Sequence, residues 1–419
     1  MKKLGFLSII VFCLSLQVTA QVVNTSVSSS AATSKDDIIK NYFTELEEYR
    51  FKPDRQSFIF QTLDGEVLLE HNADRASDPA SVIKAATTLT AVAKLGPDYR
   101  FVTRFSTNGK IDPQTKILKG DLIVTGSADP SFYSENAFHV AELLNQLGIT
   151  KVEGDLIVNE DFYLNFNPYP LPSGENFKAF INPKAWDTAI KRDWDHYQSQ
   201  MAQPSSAPFV GVEITGKVRL GSDAGTNLLL ASESNTLSNI LKEQNKYSNN
   251  VMAEMVGHKL GGLQVIERYL VDDLKLNPAN VHIGSASGLY YSYLTPRDTV
   301  KIIRKLKDTL EAHHLKLEDV FPIQGRDAGT LSDRLAQEAS GTLVGKTGTL
   351  TQSGVSALTG IIYTKSKGPI LFAVFNQGGN VHTFRKTQDD FIASIVDFYG
   401  GAAPIAYMPT SNGVASRTR

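Results

Sequence analysis

Apolar residues at Ile38, Ile39, Tyr42, Phe43 and Leu46 recur with helical spacing and predict a helix over Asp36–Arg50. The pattern then changes to strand-like. Ser57–Leu63 and Glu66–Glu70, joined by an Asp64-Gly65 turn, predict a β-hairpin. Ser81–Leu95 is rich in Ala and Leu and has Pro79 just ahead of it, as at the start of a helix. Short apolar runs at Ile117–Thr125 and Val152–Val158 flank a helix-like Asn136–Leu147. From Asn165 to Pro208 the chain is rich in Pro, Trp, Tyr and Asn and shows little period, so a loop-rich insertion is expected. Val210–Leu220 reads as a strand, and helical character returns at Asn239–Leu260 and Gly262–Val271. Three strands close the pattern, at Ser340–Thr347, Val355–Thr364 and Ile370–Asn376, before a final helix over Thr383–Tyr399.

The chain has 419 residues, enough for one large core or two domains. Its formal net charge of −2 gives no reason to expect nucleic acid as a partner. The N-terminus stands apart. Lys2 and Lys3 precede the apolar run Leu4–Leu16, and Val18-Thr19-Ala20 offers small residues for cleavage. This predicts a signal peptide over residues 1–20, followed by a flexible Ser/Thr/Ala-rich leader over 21–35. The apolar run is short for a membrane-spanning helix. Cys13, the single cysteine, lies inside it, so the mature chain has no thiol chemistry. The product is expected to be periplasmic or otherwise extracytoplasmic, with no transmembrane anchor after cleavage. The tail over 401–419 is expected to be mobile.

Chemistry concentrates in three short motifs. Ser81-Val82-Ile83-Lys84 is the only Ser-x-x-Lys in the chain. On a helix it puts the two side chains on one face. A serine hydroxyl needs an adjacent base to become a nucleophile. Lys84 serves as that base if burial or a neighbouring cation lowers its pKa. Ser248-Asn249-Asn250 follows, just ahead of a helix-like segment, where Ser248 is equally suited to capping the helix. Lys346-Thr347-Gly348-Thr349 lies in a strand-like run. Its lysine and hydroxyls suit a substrate carboxylate, and Gly348 admits a ligand close to the backbone. The eight histidines include no His-Glu-x-x-His spacing, so neither metal nor other cofactor is expected.

The order of these motifs resembles the signature of penicillin-binding proteins and serine β-lactamases. The flanking segments are similar to the class C low-molecular-mass penicillin-binding proteins, the serine D-alanyl-D-alanine carboxypeptidase/endopeptidase family. They include Pro79-Ala80-Ser81 with Gly96-Pro97-Asp98-Tyr99-Arg100, Gly120-Asp121-Leu122, Ala128-Asp129-Pro130, Gly329-Thr330-Leu331 and Gly354–Gly360. The resemblance implies an α+β transpeptidase-like domain, an antiparallel sheet flanked by helices plus a helical cluster, over 36–102 and 240–400. A mostly β inserted domain would cover 103–239. It further implies catalytic roles for Ser81, Lys84, Ser248, Asn250 and Lys346, and substrate binding by Thr347, Gly348 and Thr349. Peptidoglycan stem peptides are the implied substrate and β-lactam antibiotics the implied inhibitors. A β-lactamase or esterase of the same superfamily, or a cell-wall binding protein with an impaired site, stays open.

Two departures concern substrate choice. Where the family commonly reads Asp-Gly-Ser-Gly-Leu-Ser-Arg, this chain reads Ser285-Ala286-Ser287-Gly288-Leu289-Tyr290-Tyr291. The family acid after Gly154-Asp155-Leu156 aligns with Asn159, with Glu160 and Asp161 beside it. Ionic recognition of a diaminopimelate side chain is expected to be weakened.

Overall fold

The protein is described by a computed structural model covering residues 34–201, 208–223, 226–335 and 339–406, plus the backbone of 417–418. The expected signal peptide, nearly all of the leader and most of the tail lie outside the described residues. Helix α1 (Lys35–Glu48) and the hairpin β1 (Ser57–Thr62) and β2 (Val67–His71) form as the pattern predicts. A single 3-10 turn, Ala80–Ile83, then runs into α2 (Lys84–Leu95).

The middle of the chain comprises β3 (Val102–Thr107), β4 (Lys110–Asp112), β5 (Ile117–Lys119), β6 (Leu122–Thr125), α3 (Ser134–Gln146), β7 (Lys151–Glu153) and β8 (Leu156–Val158). It continues through α4 (Pro170–Phe180), α5 (Thr188–Gln200), β9 (Glu213–Ile214), β10 (Val218–Leu220) and β11 (Asn227–Glu233). The last part carries α6 (Leu237–Lys246), α7 (Asn250–Lys259), α8 (Leu263–Arg268), α9 (Pro296–Glu311), β12 (Leu343–Leu350), β13 (Val355–Thr364), β14 (Gly368–Gln377) and α10 (Val381–Phe398).

The architecture is α+β. Five strands in the order β12-β13-β14-β1-β2 make an antiparallel sheet. Strand alternation divides its side chains between two cores. Ile59, Ala357, Ile361, Leu371, Ala373 and Phe375 join the core formed with α2 and α9. Phe58, Phe60, Leu358, Ile362, Phe372 and Val374 face α1 and α10 instead. The sheet is therefore buried on both faces, and its strands read as continuous apolar runs.

Residues between α2 and α6 build two further sheets and a separate core around Phe105, Phe138, Phe162 and Phe177. Strands pass from one of these sheets to the other at Gly120 and Gly154. The backbones come so close there that a Cβ on Gly154 would sit 2.3 Å from the Gly120 carbonyl. Arg219 pairs with both Asp121 and Asp155 at this corner. A small contact of Ala128 and Tyr163 with Met255 and Val251 joins this part to α7.

Five expectations change. The Asn165–Pro208 segment contains the helices α4 and α5, not a loop. The segment's Pro170 and Pro172 stand in the first turn of α4, where a missing N–H costs nothing. Its aromatic residues Trp186, Trp194 and Tyr197 pack around Phe138. The expected strand over Val210–Leu220 is split into β9 and β10, which belong to different sheets. The helical stretch Asn239–Leu260 is broken at Tyr247–Asn249, between α6 and α7. Finally, α9 had no counterpart in the sequence pattern, although Thr295 caps it and Pro296 opens it. The expected strand Ser340–Thr347 is also shifted, β12 running from Leu343 to Leu350, so that Lys346–Thr349 lies wholly within it.

Candidate active site

The 3-10 turn carries Ser81, and Lys84 opens the helix that follows. Their separation in sequence thus brings Lys84 Nζ within 3.0 Å of Ser81 Oγ. Lys84 is fully buried, which no lysine tolerates without partners. Its Nζ donates to Asn250 Oδ1 at 2.7 Å and to the Ser287 carbonyl at 2.8 Å. Burial lowers its pKa to about 7, against an opposing pull from the Glu254 carboxylate. The neutral amine has two protons and one lone pair. The two carbonyl oxygens accept the protons, which leaves the lone pair directed at the Ser81 hydroxyl.

Ser248 lies in the break between α6 and α7 with a backbone φ of +54°, a conformation costly for a non-glycine residue. That turn aims its side chain at Lys346, whose Nζ donates to Ser248 Oγ at 2.8 Å and to the Thr347 carbonyl at 2.7 Å. Lys346 is fully buried on β12. Burial, and secondarily the charge of Lys84, holds its pKa well below the usual lysine value. The sequence left Ser248 suited to capping α7. The cap is Asn249 instead, accepting the N–H of Met252, and Ser248 is freed for Lys346.

Close backbone packing sets the width of the cleft. A Cβ on Gly348 would lie 2.4 Å from the Pro79 carbonyl. One on Gly288 would lie 2.0 Å from the Ala80 carbonyl. Ala80 itself has a φ of +48°. The serine turn is thus pressed between β12 and the 285–292 segment. β12 is an edge strand whose outer side is bonded to the 322–324 segment at Leu343 and Gly345, which leaves the stretch from Lys346 onward as the edge suited to an extended ligand. Thr349, at the end of this edge, accepts a hydrogen bond from Arg385 Nη2 at 3.0 Å.

All the residues named from the three motifs therefore fall on the Ser81 turn, the Ser248 turn with the start of α7, and β12. Glu254 was missed. It lies one helical turn beyond Asn250, and its carboxylate accepts the backbone N–H groups of Ala286 and Ser287 at 3.2 and 3.0 Å. The signal was the spacing of four from Asn250, which places both on one face of α7. Asn159 is occupied elsewhere, accepting from and donating to the backbone of Gly126. Asp161 contacts His258 at 3.0 Å. Tyr290 and Tyr291 are largely exposed beside the serine turn.

The site thus gathers two serine hydroxyls, Ser81 and Ser248, each within hydrogen-bond reach of a buried lysine. A sequence profile of the D-Ala-D-Ala carboxypeptidase 3 (S13) family matches residues 45–165 and 195–398. The chain belongs to that family of serine DD-peptidases. It is 29% identical to the D-alanyl-D-alanine carboxypeptidase of Actinomadura sp. (strain R39) over 447 aligned positions, 83% of this chain and 82% of that one. It is 23% identical to the D-alanyl-D-alanine carboxypeptidase DacB of Haemophilus influenzae, over 75% of this chain and 83% of that one. The fold matches the penicillin G-acylated predatory endopeptidase Bd3459 of Bdellovibrio bacteriovorus with a TM-score of 0.73. That likeness has 22% identity and covers 85% of this chain and 96% of the other. Among the described residues no helix is long and apolar enough to cross a membrane.

Proposed function

We propose that the protein cleaves the D-Ala-D-Ala bond of peptidoglycan stem peptides, and the equivalent bond of cross-links, through an ester on Ser81. The observation that carries this reading is the fully buried Lys84, held by two carbonyl oxygens with its third position on Ser81 Oγ. Substrate lies along the open edge of β12. Neutral Lys84 takes the Ser81 proton as Oγ attacks the scissile carbonyl. The backbone N–H groups of Ser81 and Thr349 receive the oxyanion. The proton returns to the departing amine through Ser248, which Lys346 orients, and the C–N bond breaks. Water then attacks the ester, gives its proton to Lys84, and Ser81 Oγ leaves with that proton. Asn250 fixes Lys84, while Thr347, Gly348 and Thr349 line the substrate strand.

The same reading makes β-lactams acylating inhibitors of Ser81. It treats 36–102 and 240–400 as the peptidase domain and 103–239 as an insertion, supported by their separate cores. It also gives the chain an exported, extracytoplasmic place, supported by the leader sequence. Loss of the ionic pair at Asn159 and Tyr291 points to stem peptides whose third residue presents no charged end, or whose recognition relies on the exposed tyrosines. Labelled penicillin on the purified protein tests the chemistry. A stoichiometric adduct absent from Ser81→Ala is expected. Absence of an adduct on the wild type, with no D-alanine released from defined muropeptides, would sink the reading.

A further inference from the structure

Asp78 stands two residues ahead of the buried Ala80 and outside the three motifs. Ala80 holds a φ of +48°, which a non-glycine residue keeps only when its surroundings over-determine it. Pro79 beside it has no N–H to donate. The restraint comes from Asp78, whose Oδ1 reaches across the proline and accepts the Ala80 N–H at 2.8 Å. Burial pushes the Asp78 carboxyl above its usual range, and the Ala80 N–H opposes that push.

Asp78 is itself held. Gln377, the last residue of β14, donates from Nε2 to the Asp78 main-chain carbonyl at 2.7 Å. The Gln377 N–H in turn donates to Gln56 Oε1 at 3.2 Å, and Asn376 Nδ2 donates to the same oxygen at 2.9 Å. Gln388, on α10, donates to Asn376 Oδ1 at 2.8 Å. Gln56, Asn376 and Gln388 are fully buried, and a buried network with its members paired is stiff. Hydrogen bonds therefore run without a gap from α10, through the end of β14, to the residues just ahead of the serine turn.

What they fix is the Ala80–Ser81 peptide unit. Its carbonyl is the one pressed against Gly288, and its N–H is that of Ser81, an oxyanion donor of the proposed reaction. A rotation at Ala80 would move that N–H relative to β12, where the second donor, Thr349, stays in place. No step of the reaction draws on Asp78 or Gln377 directly.

We propose that Asp78 and Gln377 are positioning residues for acylation, setting the orientation of the Ser81 N–H and hydroxyl without touching the substrate. The inference rests on the serine DD-peptidase reading of the site. Their loss slows ester formation and spares ligand capture, because the edge of β12 is left intact.

The test follows labelled penicillin on full-length wild type, Asp78→Ala, Asp78→Asn and Gln377→Met, and separates the limiting acylation rate from the half-saturating concentration. Asp78→Ala is expected to lower the limiting rate about 10- to 100-fold. The half-saturating concentration is expected to move by less than about threefold. Asp78→Asn keeps an oxygen for the Ala80 N–H and is expected to recover most of the rate. Gln377→Met loses the donor at similar volume. It should slow acylation in the same way and add little to the loss in Asp78→Ala, whereas additive losses would overturn the pairing. A wild-type limiting rate in Asp78→Ala, no rescue by Asp78→Asn, or equal factors lost in rate and half-saturation would each overturn the proposal. Should Asp78→Ala fail to fold, Gln377→Met decides, since it leaves the residues of the turn unchanged. A wild type that takes no label and releases no D-alanine removes the peptidase reading itself. A wild type that acylates at the same limiting rate as its variants removes only the positioning role.

Discussion

Glu254 holds Ser287 in place: its carboxylate accepts the Ser287 N–H at 3.0 Å, and the carbonyl of the same Ser287 accepts Lys84 Nζ at 2.8 Å. One carboxylate thus acts on Lys84 in two ways. Its charge favours the protonated form of Lys84, and its hydrogen bonds fix the carbonyl that Lys84 needs when neutral.

These two effects separate in Glu254→Gln. The amide oxygen keeps an acceptor for the loop but removes the negative charge. The Lys84 pKa, already lowered to about 7, should fall further. Acylation needs neutral Lys84, so the acidic limb of the pH profile should move to lower pH. Penicillin acylation rates followed from pH 5 to 9, a range of roughly two units either side of that value, would read the shift. A limb that stays in place or moves to higher pH contradicts this account.

In the wild type the same sign gives a rate that rises with pH through about 7 and levels off above it, as Lys84 loses its proton. Lys84→Gln keeps a polar side chain yet supplies no base. It should slow acylation by about 10²- to 10⁴-fold and abolish that limb. If the variant keeps both the rate and the pH dependence, Lys84 is not the base.

Gly348→Ala should harm catalysis more than stability. The added methyl would sit 2.4 Å from the Pro79 carbonyl, so β12 must retreat from the serine turn. Such overpacking costs about 1–3 kcal/mol, and the retreat widens the gap between Ser81 and the edge strand. Slower penicillin labelling is expected, with a melting temperature lowered by only a few degrees. Full labelling speed would mean that the close approach is incidental.

Asp327→Ala probes the frame instead of the cleft. Asp327 accepts Lys242 Nζ at 2.6 Å, and both side chains are nearly buried. Lys242 lies on α6, which leads into the Ser248 turn. Leaving this lysine without its carboxylate should cost about 3–5 kcal/mol. Chemical denaturation would show the midpoint falling, and an unchanged midpoint would mean that the pair adds nothing.

The parts of the site legible from sequence were those carried by local spacing. Ser81 and Lys84 meet because residues three apart share a face, and the β12–β14 hairpins follow from apolar runs broken by turns. What escaped depended on distant partners or on misleading composition. Glu254 shares a face of α7 with Asn250, but the loop it holds lies more than thirty residues away in sequence, so the spacing alone did not reveal its role. The Ser248 turn interrupts an otherwise continuous helical pattern, and its φ of +54° is stabilised by contacts that Lys346 supplies from β12. The segment forming α9 is dense in charge, and its buried stripe of Val300, Ile303, Leu306 and Leu310 is narrow. In α4 and α5, prolines and aromatics that suggested loops serve as a helix start and a packed ring cluster.

The first strand of the main sheet, β1, pairs with the last, β14, and Lys346 arrives on the hairpin that precedes it. Ser81 is made early in synthesis, but Lys346 and the strand edge beside Ser81 are among the last segments completed. A growing chain therefore holds a serine without its partner lysine and an unfinished sheet with no edge to receive a peptide. Ser81 and Lys346 therefore come together only once the C-terminal quarter of the chain has been made.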